Sequence, residues 1–316
     1  MAFTSAIDAT GFYVSVETIV GGAVEAAKGR EASFALVGNS IEITRELSKF
    51  ETLDLDISIH HIEPKTGEEP EIAALKYCLN LALSGEVNSV VSFVNPAQAA
   101  NIAHHIGATF EKLSYPASVK IIQTPKKKAL FLDVGANYNS SAGRLVELAQ
   151  LGASIASLRL NSPHARIMLL ENDYGLSEYK KAADLLEKSA LNYLGFSKPR
   201  ALFNPDIEVL VCDGYRGRIA YDAIESVSEF IYSSFKDAGK AKLYAQLGLP
   251  FGKKIWVEMA ENMEATTEEG FFIAGCKPPI ILFFRNITVE RFAKALKNFT
   301  AFASLPFEDE FNRLAE

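Results

Sequence analysis

The chain has 316 residues, 48% hydrophobic and 22% charged, and carries a net charge of −7. That length buries about three quarters of the unfolded surface and allows one large α/β domain or two ordinary ones. The composition is that of a soluble globular protein, and its acidic balance excludes bulk attraction to nucleic acid or anionic lipid.

Along the chain, short apolar runs alternate with Ala-rich helical stretches. Ala6–Ala9 starts a strand, Glu17–Lys28 reads as a helix, Ser33–Val37 as a strand and Glu42–Lys49 as a short helix. Leu55–Ile62 alternates as a strand, and Pro70–Gly85 is a helix ended by its glycine. Ser89–Val94 is a buried strand with the helix Ala97–Ile106 behind it. The rhythm repeats through Leu130–Val134, a helix at Ser141–Ser157, Ile167–Leu170, a helix at Glu178–Ala190, an edge strand at Asn192–Phe196, and Val209–Cys212. A mostly helical section, Asp222–Glu264, interrupts it before the strand Ile280–Phe284 and the closing helix Val289–Leu305. Such βαβ alternation implies right-handed crossovers and a mostly parallel sheet. One compact domain with a helical projection is the simplest account.

Two segments concentrate polar residues where such a sheet binds ligands. Ala129–Asn137 (ALFLDVGAN) and Glu208–Gly217 (EVLVCDGYRG) each run apolar to an Asp and then turn at a Gly. Ligands of open α/β sheets bind outside the carboxyl ends of the strands. Asp133, Asn137, Asp213 and Arg216 are therefore the first candidates for chemistry.

Cys78, Cys212 and Cys276 lie far apart in apolar contexts, with neither metal-ligand spacing nor a disulfide framework. A reducing cytoplasm fits, with Cys212 read as a buried small residue. The adjacent pairs His60–His61 and His104–His105 do not have metal-site spacing, and no Gly-x-Gly-x-x-Gly or P-loop is present, so neither metal nor cofactor is expected. Met1–Gly11 lacks a basic segment followed by an apolar core, so no secretory signal is expected. No run approaches the length of a spanning helix.

LDVGAN at Leu132–Asn137, LAQLGASIA at Leu148–Ala156 and VCDGYRG at Val211–Gly217 together resemble the phosphate acyltransferase family of bacterial phospholipid synthesis. The similarity continues in IDATG at Ile7–Gly11, LVGNSIEIT at Leu36–Thr44, VSFVN at Val91–Asn95 and GFFIAGCKPPII at Gly270–Ile281. Order and spacing agree over nearly the whole chain. This resemblance implies a three-layer α/β/α fold with a mostly parallel sheet, Rossmann-like and isopropylmalate-dehydrogenase-like, and a helical projection over 222–264. It implies transfer of a fatty acyl group from an acyl–acyl-carrier-protein thioester to inorganic phosphate, giving acyl phosphate. It also implies a cytoplasmic homodimer packed through Asp222–Glu264, touching the membrane at most from the inner face.

The chain departs from the family pattern at several turns. Gly11, Phe12 and Tyr13 stand where the family has Gly–Gly–Asp, and Val94, Asn95, Pro96 and Ala97 where it has Gly–Asn–Thr–Gly. The Lys–Lys–x–Ser–Ser run has no counterpart near Glu68–Lys76, and the Gly–Glu–Glu–x–x–Lys–Gly loop shrinks to Glu171–Gly175 without its lysine. A non-catalytic relative that binds acyl carrier protein or an acyl ligand is the alternative function.

Acyl transfer to phosphate needs donors for the dianion, polarisation of the thioester carbonyl and an apolar channel. Gly11, Gly135 and Gly214 can present backbone N–H groups at strand ends. Asn95 and Asn137 can add side-chain amides, Asn137 at the developing oxyanion, or can merely stabilise turns. Arg216 and Arg218 can grip phosphate bidentately, or can form surface ion pairs with Asp213 or Asp222. Asp8, Asp133 and Asp213 can serve as acid–base or orienting groups, or as ordinary turn residues.

Overall fold

The structure, a computed structural model, describes residues 3–28, 32–124, 127–170, 176–198, 200, 206–241, 270–283 and 287–315. Its strands are β1 (Phe3–Asp8), β2 (Ala32–Gly38), β3 (Ile57–His61), β4 (Ser89–Ser92), β5 (Ala117–Gln123), β6 (Lys128–Leu132), β7 (Ile167–Leu170), β8 (Tyr193–Ser197), β9 (Val209–Val211), β10 (Phe271–Ala274) and β11 (Ile280–Leu282). Its helices are α1 (Val16–Ala27), α2 (Ser40–Leu47), α3 (Pro70–Leu83), α4 (Pro96–His105), α5 (Ala142–Arg159), α6 (Ser177–Leu186), α7 (Gly214–Ala241), α8 (Val289–Ala303) and α9 (Phe307–Leu314).

All eleven strands join one sheet in the order β3-β2-β1-β4-β11-β10-β5-β6-β9-β7-β8. β3, β2, β1, β4 and β11 are mutually parallel, and so are β6, β9, β7 and β8. Between these blocks β10 runs antiparallel to β11 and to β5, and β5 antiparallel to β6. Three reversals separate the blocks, so their strands point in opposite directions. The carboxyl ends of β1, β4 and β11 therefore lie at one edge of the sheet, and those of β6 and β9 at the other.

Two apolar cores fill the space between sheet and helices, one on each face. Residues of α1, α5, α6, α8 and α9 build the first, and those of α3, α4 and α7 the second. The three-layer α/β/α architecture and mostly parallel sheet agree with the sequence. Glycines set the closest approaches. A Cβ on Gly22 of α1 would lie 2.5 Å from Cδ1 of Phe292 in α8, and one on Gly152 of α5 2.5 Å from Cγ1 of Val209 in β9. Side-chain caps from Ser15, Asn95, Ser141 and Thr288 start α1, α4, α5 and α8.

Three elements were not legible beforehand. β5 (ASVKIIQ) carries Lys120 in mid-strand, which interrupts its apolar pattern, yet that residue is buried. Its Nζ lies 5.0 Å from the Phe271 ring centroid and 5.3 Å from that of Tyr221. β10 is a four-residue strand, and α9 is a short polar helix whose Phe307 and Phe311 reach the core. The helical section expected from Asp222 begins earlier, at Gly214, and its first turns bury Tyr221 against the sheet. The rest of the expected projection, 242–264, and the loop Glu171–Gly175 lie outside the described residues.

Candidate functional site

The turns after β6 and β9 meet. Asp133, fully buried, follows β6, and four N–H groups converge on its carboxylate. Oδ1 accepts from the backbone N–H of Ser118 at 3.1 Å and of Ala136 at 2.9 Å. Oδ2 accepts from Asn137 twice, from its backbone N–H at 2.8 Å and its side-chain Nδ2 at 2.9 Å. Burial raises the Asp133 pKa, against the lowering effect of these donors. Asn137 Nδ2 also donates to the Pro116 carbonyl at 3.0 Å. Both amide protons are thus committed inside the fold, and the role read for Asn137 as an oxyanion donor has no side-chain N–H left in this arrangement.

Asp213 follows β9 and caps α7. Its Oδ1 accepts the Arg216 backbone N–H at 3.0 Å, while Oδ2 takes the Tyr179 hydroxyl proton at 2.8 Å and pairs with Arg216 Nη1. Tyr179 Oη in return accepts the Asp213 backbone N–H at 2.9 Å. The turns lock together through Gly214, whose N–H donates to the Asn137 carbonyl at 2.6 Å. A Cβ on Gly214 would lie 2.5 Å from that same oxygen, and one on Gly217 would overlap the Asp133 carbonyl. Gly135 (φ +98°) lies under the aliphatic stem of Arg218, whose guanidinium pairs with Asp222 at 3.0 and 2.9 Å. Both arginines thus make the ion pairs that the sequence left open. Arg216 keeps 43% of its side chain exposed and stacks 5.5 Å over the Tyr179 ring.

Buried Cys212 sits between Asp133 and Asp213; burial first, and those two charges second, push its thiol pKa well up. It is a packing residue, as its apolar context indicated.

Gly11 and Asn95 are not part of this constellation. Both follow strands of the opposed block, and β1 is five strand spacings from β6, about 24 Å. Gly11 (φ +81°) turns the chain toward α1. Asn95 caps α4, its Oδ1 accepting the Gln98 backbone N–H at 2.9 Å while Nδ2 donates to Gln98 Oε1. Beside them, buried Asp8 accepts from Thr10 N and Oγ1 at 3.0 and 2.7 Å and from Ser92 Oγ at 3.2 Å. Burial pushes its pKa up to about 6 against those hydrogen bonds, with buried Glu71 nearby adding to the rise.

Two contributors were invisible to motif reading. Tyr179 lies in the unremarkable helix SEYKKAADLL and becomes a bridge only when α6 packs beside β9. Arg144 is buried at the start of α5 and donates to the same Pro116 carbonyl at 3.1 Å. No local pattern marks either residue.

A family model described as fatty acid synthesis protein matches residues 3–305. The chain is similar to the phosphate acyltransferase of Syntrophotalea carbinolica, 30% identical over 256 residues that span 77% of this chain and 74% of that protein. It is similar to the phosphate acyltransferase of Geobacter sulfurreducens at 26% identity over 94% of this chain and 89% of that one. Among solved structures, a phosphotransacetylase from Streptococcus pyogenes superposes with a TM-score of 0.60 at 15% identity, covering 95% of this chain and 94% of its own. A branched-chain phosphotransacylase from Enterococcus faecalis gives 0.56 at 15% identity, over 96% of this chain and 100% of its own. At these identities the structural likenesses establish the fold.

Tyr179→Phe removes the hydroxyl that both donates to Asp213 and accepts from its backbone. The expected loss is about 1–3 kcal/mol in denaturant unfolding, the cost of an orphaned buried group; a loss within experimental error would contradict the bridge. Asp8 gives the second test. Folded protein holds its proton to about pH 6 and unfolded chain releases it near 3.8, so stability falls as pH rises through that window, by about 3 kcal/mol. Asp8→Asn should therefore melt above wild type at pH 7.5, with the gap closing toward pH 4. A gap independent of pH would refute it.

Proposed function

The chain belongs to the fatty acid synthesis protein family, and we propose that within it the protein moves a fatty acyl group from acyl carrier protein to inorganic phosphate. Hydrogen phosphate attacks the thioester carbonyl, a C–O bond forms, the C–S bond breaks, and the phosphate proton goes to the departing thiolate. The products are acyl phosphate and carrier thiol. The observation that carries this reading is the family match over nearly the whole chain, together with relatives named phosphate acyltransferase.

The braced turn pair supports catalysis by positioning rather than by a nucleophilic side chain. Arg216 is the phosphate ligand in this proposal. A guanidinium has five N–H donors, one arm is aligned by Asp213, and the side chain reaches solvent beside the turn. Arg218 has its fork on Asp222 and serves as a reserve cation. Asp213 acts as the positioning group for Arg216. Asn137, Gly135 and Gly214 hold the backbone of the turns, while Gly11 and Asn95 take no part at this edge.

The reading is tested by phosphate-dependent formation of acyl phosphate from short and long acyl-carrier donors. Absence of product at saturating phosphate overturns it. Arg216→Lys keeps a cation beside Asp213 but loses the fork, and should raise the phosphate concentration for half-maximal rate about tenfold or more, near 1.5 kcal/mol. An unchanged phosphate dependence removes Arg216 from the site. The commitment of Asn137 and Arg218 to internal partners favours a second reading, a non-catalytic relative that binds acyl carrier protein or an acyl ligand. Complementation of a strain lacking the acyltransferase separates the two.

The proposed assembly is a homodimer through the α7 extension, with peripheral contact to the inner face of the membrane. Within the described part of α7, exposed Val227 and Phe230 support a covered surface. The residues read from sequence for this contact from Leu243 to Trp256 lie outside the described residues. Light scattering at micromolar concentration should give the mass of two chains, and a monomer mass overturns the assembly. Among the described residues no helix is long and apolar enough to cross a membrane.

A further inference from the structure

Arg216 reaches the mouth of the turn pair under constraint from three sides. Asp213 Oδ1 accepts its backbone N–H at 3.0 Å, Asp213 Oδ2 pairs with its Nη1, and its Cζ lies 5.5 Å from the centroid of the Tyr179 ring. Tyr179 itself is buried, so a partly exposed cation rests on a ring fixed in the interior. The tyrosine hydroxyl closes the set, donating to the same Asp213 Oδ2 at 2.8 Å and accepting the Asp213 backbone N–H at 2.9 Å. Tyrosine, carboxylate and guanidinium thus each contact the other two. Arg159 and Arg218 also lie over rings, but Phe302 and Phe271 have no hydroxyl with which to bind a carboxylate.

Two physical effects follow from this closure. A long side chain loses rotamer freedom when it grips a ligand, and a fork ordered beforehand loses less. The stacked ring and the carboxylate supply that order while the arginine stays open to solvent. The second effect concerns Asp213. When a bound anion draws the guanidinium outward, Oδ2 keeps the Tyr179 hydroxyl as its donor. A buried carboxylate is then not left bare, a state that would oppose binding. Burial pushes the Tyr179 phenol pKa well up, with Cys212 and Asp213 adding to the rise, so the hydroxyl remains a donor wherever the protein works.

We propose that Tyr179 is the positioning residue of the phosphate site, its ring orienting the Arg216 guanidinium and its hydroxyl holding Asp213 while Arg216 engages the anion. This role rests on the reading of Arg216 as the phosphate ligand. It reaches the site through a helix, α6, that contributes no other group to it here. A residue that merely packs would affect the fold alike with or without Arg216. A positioning residue acts on phosphate only through the arginine it holds, so the two positions are coupled.

The test follows inorganic phosphate on the full chain in two ways. One is the concentration for half-maximal acyl phosphate formation; the other is the rise in melting temperature, each variant compared with its own phosphate-free melt. Tyr179→Phe keeps the ring and should raise the half-saturating phosphate about threefold. Tyr179→Leu loses ring and hydroxyl and should raise it about tenfold or more. Half-saturation by the acyl donor should stay within about twofold in both. In an Arg216→Gln background, itself weakened about tenfold or more, Tyr179→Leu should add less than about twofold. If Tyr179→Leu does not fold, Tyr179→Phe in both backgrounds carries the same comparison. Folded Tyr179 variants that use phosphate like wild type overturn the proposal, as does an equal loss with and without Arg216. Phosphate use unchanged in Arg216→Gln removes both residues from the site. Melts that couple the two positions in a chain making no acyl phosphate sink the acyl-transfer reading and leave Tyr179 positioning an anion ligand.

Discussion

Strand β10 runs against both of its neighbours, and the location of every candidate group depends on that reversal. With β5 it inserts three antiparallel steps between two parallel blocks. An odd number of reversals must send the blocks in opposite directions. Strand-end turns of a parallel sheet normally gather at one edge; here they divide between two. Asp8 and Asn95 belong to one edge, and Asp133, Asn137, Asp213 and Arg216 to the other. The antiparallel pairs are themselves buried, so side chains of β10 and β5 support both cores.

The second edge is built around buried carboxylates. Asp133 is surrounded by four N–H donors from three residues, which ties the start of β5 to the turn after β6. Asp213 does the same for α6, β9 and α7. Buried charges contribute stability only when their hydrogen bonds are complete, and here the partners come from four different elements. The result is a braced joint with a partly exposed cation, Arg216, aligned at its mouth. Nearby, Lys120 lies under α7 against two aromatic rings, and burial together with the opposing pull of that ammonium sets the raised pKa of Glu225 on the same helix.

The sequence by itself determined the elements whose signals are local. Runs such as LFLDVG and EVLVCDG end in turns that need glycine, for the positive φ of Gly135 in the first and for the close approach of the Asn137 backbone to Gly214 in the second. Periodicity and capping residues placed most helices, and order and spacing of motifs carried the family. Tertiary structure alone decided what depends on long-range pairing. β5 was hidden because a buried lysine is satisfied by rings from β10 and α7, far away in sequence. Tyr179 and Arg144 entered the turn pair for the same reason. Whether Asn137 and Arg216 face a ligand or their own fold was equally undecided in the sequence. The Asn137 amide finds the Pro116 carbonyl, far off in sequence, only once β5 and β6 lie side by side, and Arg216, only three residues from Asp213, gains its seat over the Tyr179 ring only when α6 packs beside β9.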